Sequence, residues 1–147
     1  MPSRSELGGP GPLAGAPHTI LIVEDDASLR SALDSVLRPL GYRVVTATDG
    51  DTAYSRLASE PADAVLLDVR ITGMSGLALY LAIVHRWPRL EGRIAFMTAD
   101  ADTPDVRVWL ERGGYITFRK PLSFSQITAW LALVVQQPER SAGHRRA

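Results

Sequence analysis

The sequence contains no cysteine, which excludes a disulfide framework and any metal site built from thiolates. It also lacks an excess of either charge, since Lys plus Arg and Asp plus Glu number sixteen each. A surface that binds nucleic acid normally carries excess positive charge, so we expect no nucleic-acid partner. No apolar run approaches the roughly 20 residues of a membrane span, and no secretory signal is present. We therefore expect a cytoplasmic protein without membrane contact.

The length of 147 residues suits one compact domain with short extensions. Residues 1–17 are rich in Gly, Pro, Ser and Ala and show no apolar period, which predicts a disordered tail. Residues 137–147 are polar and contain Pro138 and Gly143, which predicts a flexible tail. The folded domain is then expected over residues 18–136.

Within that domain, short apolar runs alternate with segments of helical period. The predicted strands are Thr19–Val23, Arg43–Ala47, Ala64–Leu67, Arg93–Met97 and Tyr115–Phe118. The predicted helices are Leu29 to Leu40, Asp49 to Ser59, Leu77 to Trp87, Pro104 to Arg112, and a last one capped by Ser123. Strict alternation predicts a doubly wound α/β fold, a parallel sheet with helices on both faces. In such sheets, ligands bind beyond the carboxyl ends of the strands.

Polar side chains follow four of these predicted strands. They are up to four carboxylates, one hydroxyl and one ammonium: Glu24, Asp25, Asp26, Asp68, Thr98 and Lys120. Adjacent carboxylates repel each other unless a cation neutralises them, and an oxygen-only ligand set favours Mg²⁺ over zinc. A hydroxyl and an ammonium beside a metal-bound carboxylate suit an arriving phosphoryl group. Each residue alone also has a structural explanation, and we predict that Asp26 caps the first helix.

The ordered set "ILIVEDDASLR", "AVLLDVRITGMSGL", "MTAD" and "FRKP" resembles the receiver domains of bacterial response regulators. The resemblance covers about His18 to Gln136. The intervals agree as well, with 30 positions from Asp68 to Thr98 and 22 from Thr98 to Lys120. The resemblance implies a flavodoxin-like fold, with five parallel strands in the order 2-1-3-4-5. It is strongest to single-domain receivers of the chemotaxis-regulator type.

The resemblance also implies a metal site and a phosphoacceptor. Asp68 would accept the phosphoryl group. Asp25 would bind Mg²⁺ directly, Glu24 would bind it through water, and Arg70 would contribute its backbone carbonyl.

Around the phosphoryl group, the resemblance implies four further roles. Thr98 would bind a phosphoryl oxygen, and Ala99 would keep space open beside it. Lys120 would pair with the phosphoryl group, and the peptide bond before Pro121 would be cis.

Several positions depart from the family pattern and are expected to modulate the site. Arg70 and Asp100 are predicted to form an exposed ion pair that slows hydrolytic water. Thr72 stands where the family usually has proline. Thr117 stands where the family usually has Tyr or Phe, so coupling through an aromatic side chain is not expected here.

These features predict a phosphorylation-activated switch that receives its phosphoryl group from a histidine kinase or a histidine phosphotransfer protein. We expect output by contact with a downstream protein or a second copy of the chain, and no enzymatic activity beyond its own phosphoryl transfer and slow dephosphorylation. The alternative is a phosphate-independent, receiver-like binding module. A related phosphohydrolase is disfavoured because Arg70 stands where a second aspartate is needed. A flavin protein is disfavoured because acids follow the first strand.

Overall fold

The computed structural model describes residues 16–99 and 103–137 of the chain. Its strands are β1 (Thr19–Val23), β2 (Arg43–Ala47), β3 (Ala64–Asp68), β4 (Arg70–Ile71), β5 (Met74–Ser75), β6 (Ile94–Thr98) and β7 (Ile116–Arg119). Its α-helices are α1 (Ala27–Leu37), α2 (Gly50–Ser59), α3 (Gly76–Arg86), α4 (Pro104–Gly113) and α5 (Phe124–Gln136). Short 3₁₀ turns at Arg38–Leu40 and Pro88–Leu90 follow α1 and α3.

The five long strands form one parallel sheet in the order β2-β1-β3-β6-β7. This confirms the predicted flavodoxin-like order, because β4 and β5 are two-residue strands that pair only with each other. That small antiparallel ribbon, which the sequence did not predict, lies between β3 and α3. The chain crosses over β1 between β2 and β3, so the strand order reverses beside β1 and β3.

Every residue of β1, β3 and β6 is buried, which explains their uninterrupted apolar runs. Successive side chains point to opposite faces of the sheet and supply two separate cores. Leu21, Leu67 and Phe96 belong to the core that helices α2, α3 and α4 cover. Ile20 and Leu66 belong to the core that α1 and α5 cover.

Several predicted boundaries are shifted by one to three residues, and three of these shifts have a clear local reason. The first α-helix ends at Leu37, and the chain continues through Pro39 as a 3₁₀ turn. Strand β6 begins at Ile94 because the Arg93 N–H closes a turn onto the Leu90 carbonyl at 2.8 Å. Strand β7 begins after Tyr115, whose N–H instead donates to Leu110 of α4 at 3.3 Å.

None of the described helices is long and apolar enough to cross a membrane. The predicted tails, residues 1–17 and 137–147, fall almost entirely outside the described residues and stay predictions.

Candidate functional site

Three charged side chains from different strand ends meet at the carboxyl edge of the sheet. Glu24 follows β1 and is 1% exposed, and Asp68 ends β3 and is 5% exposed. Lys120 follows β7 and places its Nζ 2.5 Å from Asp68 Oδ2 and 2.9 Å from Glu24 Oε1. One ammonium therefore bridges two buried carboxylates. Without it, keeping both carboxylates ionised in the interior would cost more free energy.

Backbone hydrogen bonds fix Glu24 in place. Its N–H donates to the Ala47 carbonyl of β2 at 3.0 Å, so the pairing of β1 with β2 extends to this residue. The Arg30 guanidinium of α1 donates to the Glu24 carbonyl at 2.8 Å. The Asp26 N–H donates to Glu24 Oε2 at 3.1 Å. Both Glu24 carboxylate oxygens thus have partners, and the side chain is held in one orientation.

Asp68 is held from the side opposite Lys120. The Arg70 N–H donates to Asp68 Oδ1 at 2.7 Å, and the Val69 N–H donates to Met97 of β6 at 3.0 Å. Gly76 at the start of α3 packs directly on this segment. A Cβ atom there would lie 2.8 Å from the Val69 Cα, closer than such atoms approach in proteins. The first residue of α3 therefore has to be glycine if β3 is to end where it does.

Lys120 and Thr98 are joined through their backbones. The Lys120 N–H donates to the Thr98 carbonyl at 2.7 Å, and the Lys120–Pro121 peptide bond is cis. The Thr98 side chain is 5% exposed, and its hydroxyl donates to the Ala99 carbonyl at 3.4 Å. Thr98 thus belongs to the same edge as the three charged side chains.

The electrostatics of the site follow from burial and from this pairing. Burial raises the pKa of Glu24 from its ordinary 4.5 to about 7, and the neighbouring Asp68 adds to the rise, while the hydrogen bond from Lys120 opposes it. Burial alone would lower the pKa of Lys120, but its hydrogen bonds to Asp68 and Glu24 outweigh this and raise that pKa. The ammonium is therefore charged at neutral pH.

Asp25 and Asp26 lie at the exposed side of the same edge. Asp26 caps α1, as predicted, by accepting from the Ser28 and Leu29 N–H groups at 2.9 and 3.2 Å. Asp25 accepts a hydrogen bond of 3.3 Å from the Thr72 hydroxyl, a contact that the sequence did not predict. Thr72 also bridges to Asp49 before α2, so the loop between β4 and β5 is tied down on two sides.

The chemistry of the donor set fits a hard cation, since it offers carboxylate oxygens and a backbone carbonyl. Their arrangement differs from a formed metal site. Among residues 16–99 and 103–137, no three His, Cys, Asp or Glu side chains converge closely enough to hold an ion. The Lys120 ammonium lies between Glu24 and Asp68 instead, and Asp25 contacts Thr72. An incoming cation would share Asp68 with Lys120.

Of the four expected modulating positions, Arg70, Ala99 and Thr117 are described and Asp100 is not. Ala99 directly follows β6 and is partly buried. Thr117 lies in β7 beside Phe96 of β6. The predicted ion pair of Arg70 with Asp100 stays a prediction, because Asp100 lies outside the described residues.

A doubly wound parallel sheet with a buried carboxylate pair and a lysine at its carboxyl edge defines a class of α/β signalling domains. The profile of the response regulator receiver domain matches residues 20–132. The chain therefore belongs to the family of response regulator receiver domains of two-component systems.

Curated relatives and a solved structure agree with this assignment. The chain is 32% identical over 124 residues to the transcriptional regulatory protein AfsQ1 of Streptomyces coelicolor, covering 84% of this chain and 54% of the relative. It is 32% identical over 110 residues to the DNA-binding transcriptional regulator NtrC of Salmonella typhimurium, covering 75% of this chain and 23% of the relative. The chain thus spans about half or less of these relatives.

One solved structure that resembles this chain is the BeF3-activated N-terminal receiver domain of RstA from Klebsiella pneumoniae. It has 26% sequence identity and a TM-score of 0.70, and the match covers 82% of this chain and all of that domain.

Proposed function

We propose that the chain is a phosphorylation-activated switch that accepts a phosphoryl group on Asp68 from a histidine kinase or a histidine phosphotransfer protein. The observation that carries the proposal is the contact of 2.5 Å between the buried Asp68 carboxylate and the Lys120 ammonium. A buried carboxylate with a cation beside it is poised to react and to tolerate additional negative charge.

In the proposed transfer, one bond to phosphorus forms and one bond to phosphorus breaks. One Asp68 carboxylate oxygen attacks phosphorus, the bond from phosphorus to the donor histidine nitrogen breaks, and that nitrogen keeps the electron pair. Lys120 then stabilises the charge on the phosphoryl oxygens, and the Arg70 N–H holds the other carboxylate oxygen. The Thr98 hydroxyl, 3.4 Å from the Ala99 carbonyl, is weakly held and free to turn to a phosphoryl oxygen.

Magnesium would be held by Asp25 and Asp68 directly, by Glu24 through water, and by the Arg70 backbone carbonyl. When bound, the ion would neutralise charge on the transferred group and orient it. The raised pKa of Glu24, about 7, supports this assignment, since it reflects a buried carboxylate for which one ammonium is an incomplete counter-charge.

Output is proposed to occur through contact with another protein or with a second copy of the chain. AfsQ1 and NtrC are named as transcriptional regulators, and NtrC as DNA-binding. That DNA-binding description belongs to proteins of which this chain matches only a part. We propose no nucleic-acid contact for the matched domain itself, because residues 20–132 contain 12 Lys or Arg against 14 Asp or Glu and so lack an excess of positive charge.

The proposal is tested by intact-protein mass after incubation with Mg²⁺ and acetyl phosphate or phosphoramidate. We expect a gain of one phosphoryl group, no gain when chelator is added first, and no gain with Asp68→Asn. Asp105→Asn, an exposed aspartate in the first turn of α4, is the matched control and should label like the parent chain.

A phosphate-independent binding module is the second candidate. One observation favours it: Lys120 already gives both buried carboxylates a hydrogen-bonded partner without metal or phosphate. Absence of labelling by both small donors and by a phosphorylated kinase, under conditions that label another receiver, would establish this second candidate instead.

A further inference from the structure

A cavity of about 290 Å³ opens beside the phosphorylation site, between the end of β6, helix α4 and strand β7. Its floor contains the buried residues Thr98 and Leu110, which are 5% and 4% exposed. Its rim contains three exposed charged residues, Arg107, Glu111 and Arg119. The cavity therefore combines an apolar floor with a charged mouth, which is the usual composition of a small-molecule site.

The space exists because a small residue occupies the middle of one face of β7. Tyr115, Thr117 and Arg119 alternate onto the face that α4 covers and line the cavity. The Thr117 hydroxyl donates to the carbonyl of Tyr115, the residue just before β7, at 3.2 Å. The polar atom of Thr117 is thus satisfied locally and demands no partner from the cavity.

The aromatic wall of the cavity is held by its neighbours. The Tyr115 ring stacks on Trp109 with centroids 4.4 Å apart and planes 16° apart. It also meets Tyr80 and Phe96 edge to face, at 5.0 and 5.7 Å. A ring with three aromatic contacts loses them if it swings into the cavity, so the space stays open.

We propose that this cavity binds a small molecule consisting of one aromatic ring with one acidic group, such as an arylcarboxylate. A dry cavity of roughly 150 Å³ already accommodates a benzene ring, so this one has room for a ring and a short acidic arm. The tyrosine wall and leucine floor suit the ring. Among the described residues of the mouth, the Arg107 guanidinium suits the anion, because arginine binds carboxylates with two parallel hydrogen bonds.

Because of the position of the cavity, we expect a bound ligand to affect phosphorylation, an expectation that rests on the proposed function. Thr98 lines the cavity, and its carbonyl accepts the Lys120 N–H at 2.7 Å. A ligand that contacts Thr98 therefore touches the residue expected to reach the phosphoryl group. If the ligand changes the equilibrium constant of phosphorylation by some factor, phosphorylation changes the affinity for the ligand by the same factor.

The binding test uses the full chain without any phosphodonor. Titration with phenylacetate, followed by ¹H–¹⁵N NMR, should shift the amide signals of Ala99, Leu110 and Thr117, with a Kd on the order of 1 mM for so small a ligand. Acetate lacks the ring and 2-phenylethanol lacks the charge, so both should bind at least about fivefold more weakly.

Two variants separate the ring pocket from the charged mouth. Thr117→Phe fills the cavity and should weaken phenylacetate binding at least about tenfold, and Arg107→Gln should weaken it about threefold or more. Arg112→Gln, on the same helix but outside the cavity, is the matched control and should bind like the parent. Any one of three results would overturn the site. They are no shift at the Ala99, Leu110 and Thr117 amides, equal affinity for acetate and phenylacetate, or full phenylacetate affinity in both Thr117→Phe and Arg107→Gln.

A second arm tests the coupling separately. The Kd of phenylacetate should differ at least about twofold between the parent chain phosphorylated with acetyl phosphate and the unphosphorylated parent chain. An equal Kd in the two forms would overturn the coupling. Binding to Asp68→Asn, which cannot be phosphorylated, keeps the result on the site independent of the proposed function.

Discussion

The two halves of the carboxyl edge of the sheet are built in opposite ways. At β1 and β3, Glu24 and Asp68 are buried and crowded around Lys120, whose ammonium lies 2.9 and 2.5 Å from their carboxylate oxygens. At β6 and β7, the same edge holds a cavity with Thr98 at its floor. Thr98 belongs to both halves, since its strand carries the backbone contact to Lys120.

This difference separates chemistry from response. Buried charges have to be paired, because an unpaired one costs several kcal/mol, so the charged half has one well-defined arrangement. A cavity costs only the contacts that its walls lose, so the open half can accept a ligand or a moved side chain. We infer that the charged half carries out phosphoryl transfer and that the open half responds to it.

Removal of the cation should have the largest effect. In Lys120→Met, the two buried carboxylates lose their counter-charge, so we expect the rate of phosphoryl gain to fall at least about tenfold. We also expect the free energy of unfolding near neutral pH to fall by about 1–3 kcal/mol. Mass spectrometry measures the first effect and urea denaturation the second.

A separate measurement tests the pairing of Lys120 with the two carboxylates directly. Lys120 is the only lysine of the chain, so selective ¹³C labelling of lysine gives one Cε signal, which follows the charge of the adjacent ammonium. Its titration should show a pKa above the ordinary value of 10.5 in the parent chain, and the pKa should fall in Asp68→Asn. An unshifted pKa in the parent would contradict the pairing on which the comparison of the two halves depends.

The raised pKa of Glu24 predicts an intermediate effect on stability. With chelator present, the unfolded chain ionises Glu24 near pH 4.5, whereas the folded chain keeps the proton until about pH 7. Stability from this group is therefore complete below pH 4.5 and is lost as the pH rises to about 7. Urea denaturation over this range should show that decline.

Glu24→Gln is the matched variant, since it keeps the shape of the side chain and removes its titration. The decline in the free energy of unfolding should be flatter in this variant. A decline of the same size in both proteins would assign it to other groups.

The fold and the charged half of the edge were accessible from sequence because they depend on residue type and order. Buried strands such as β3 require continuous apolar residues, and the carboxyl ends of parallel strands must share one edge, so the meeting of Glu24, Asp68 and Lys120 followed. Asp26 was predictable as a cap because its function is local.

The features that the sequence did not predict depend on distances between elements. The contact of Thr72 with Asp25 joins residues 47 positions apart and needs the β4–β5 ribbon, whose two-residue strands show no period. The cavity depends on the small side chain of Thr117 and on the stacking of Tyr115 against Trp109. Empty space leaves no pattern in a sequence.

The smallest predicted effect concerns that empty space. Thr117→Phe adds a ring that the cavity can enclose, so we expect the free energy of unfolding to rise by about 1 kcal/mol, as burial of part of an aromatic side chain would give. Thr117→Val keeps the branched shape without filling the cavity but loses the hydrogen bond to the Tyr115 carbonyl, so it should lower the free energy of unfolding by no more than about 1 kcal/mol. Urea denaturation at one pH measures both. A loss of more than about 1 kcal/mol in Thr117→Phe would mean that α4 packs too firmly on β7 to admit a ring, and the two halves of the edge would then differ in charge but not in openness.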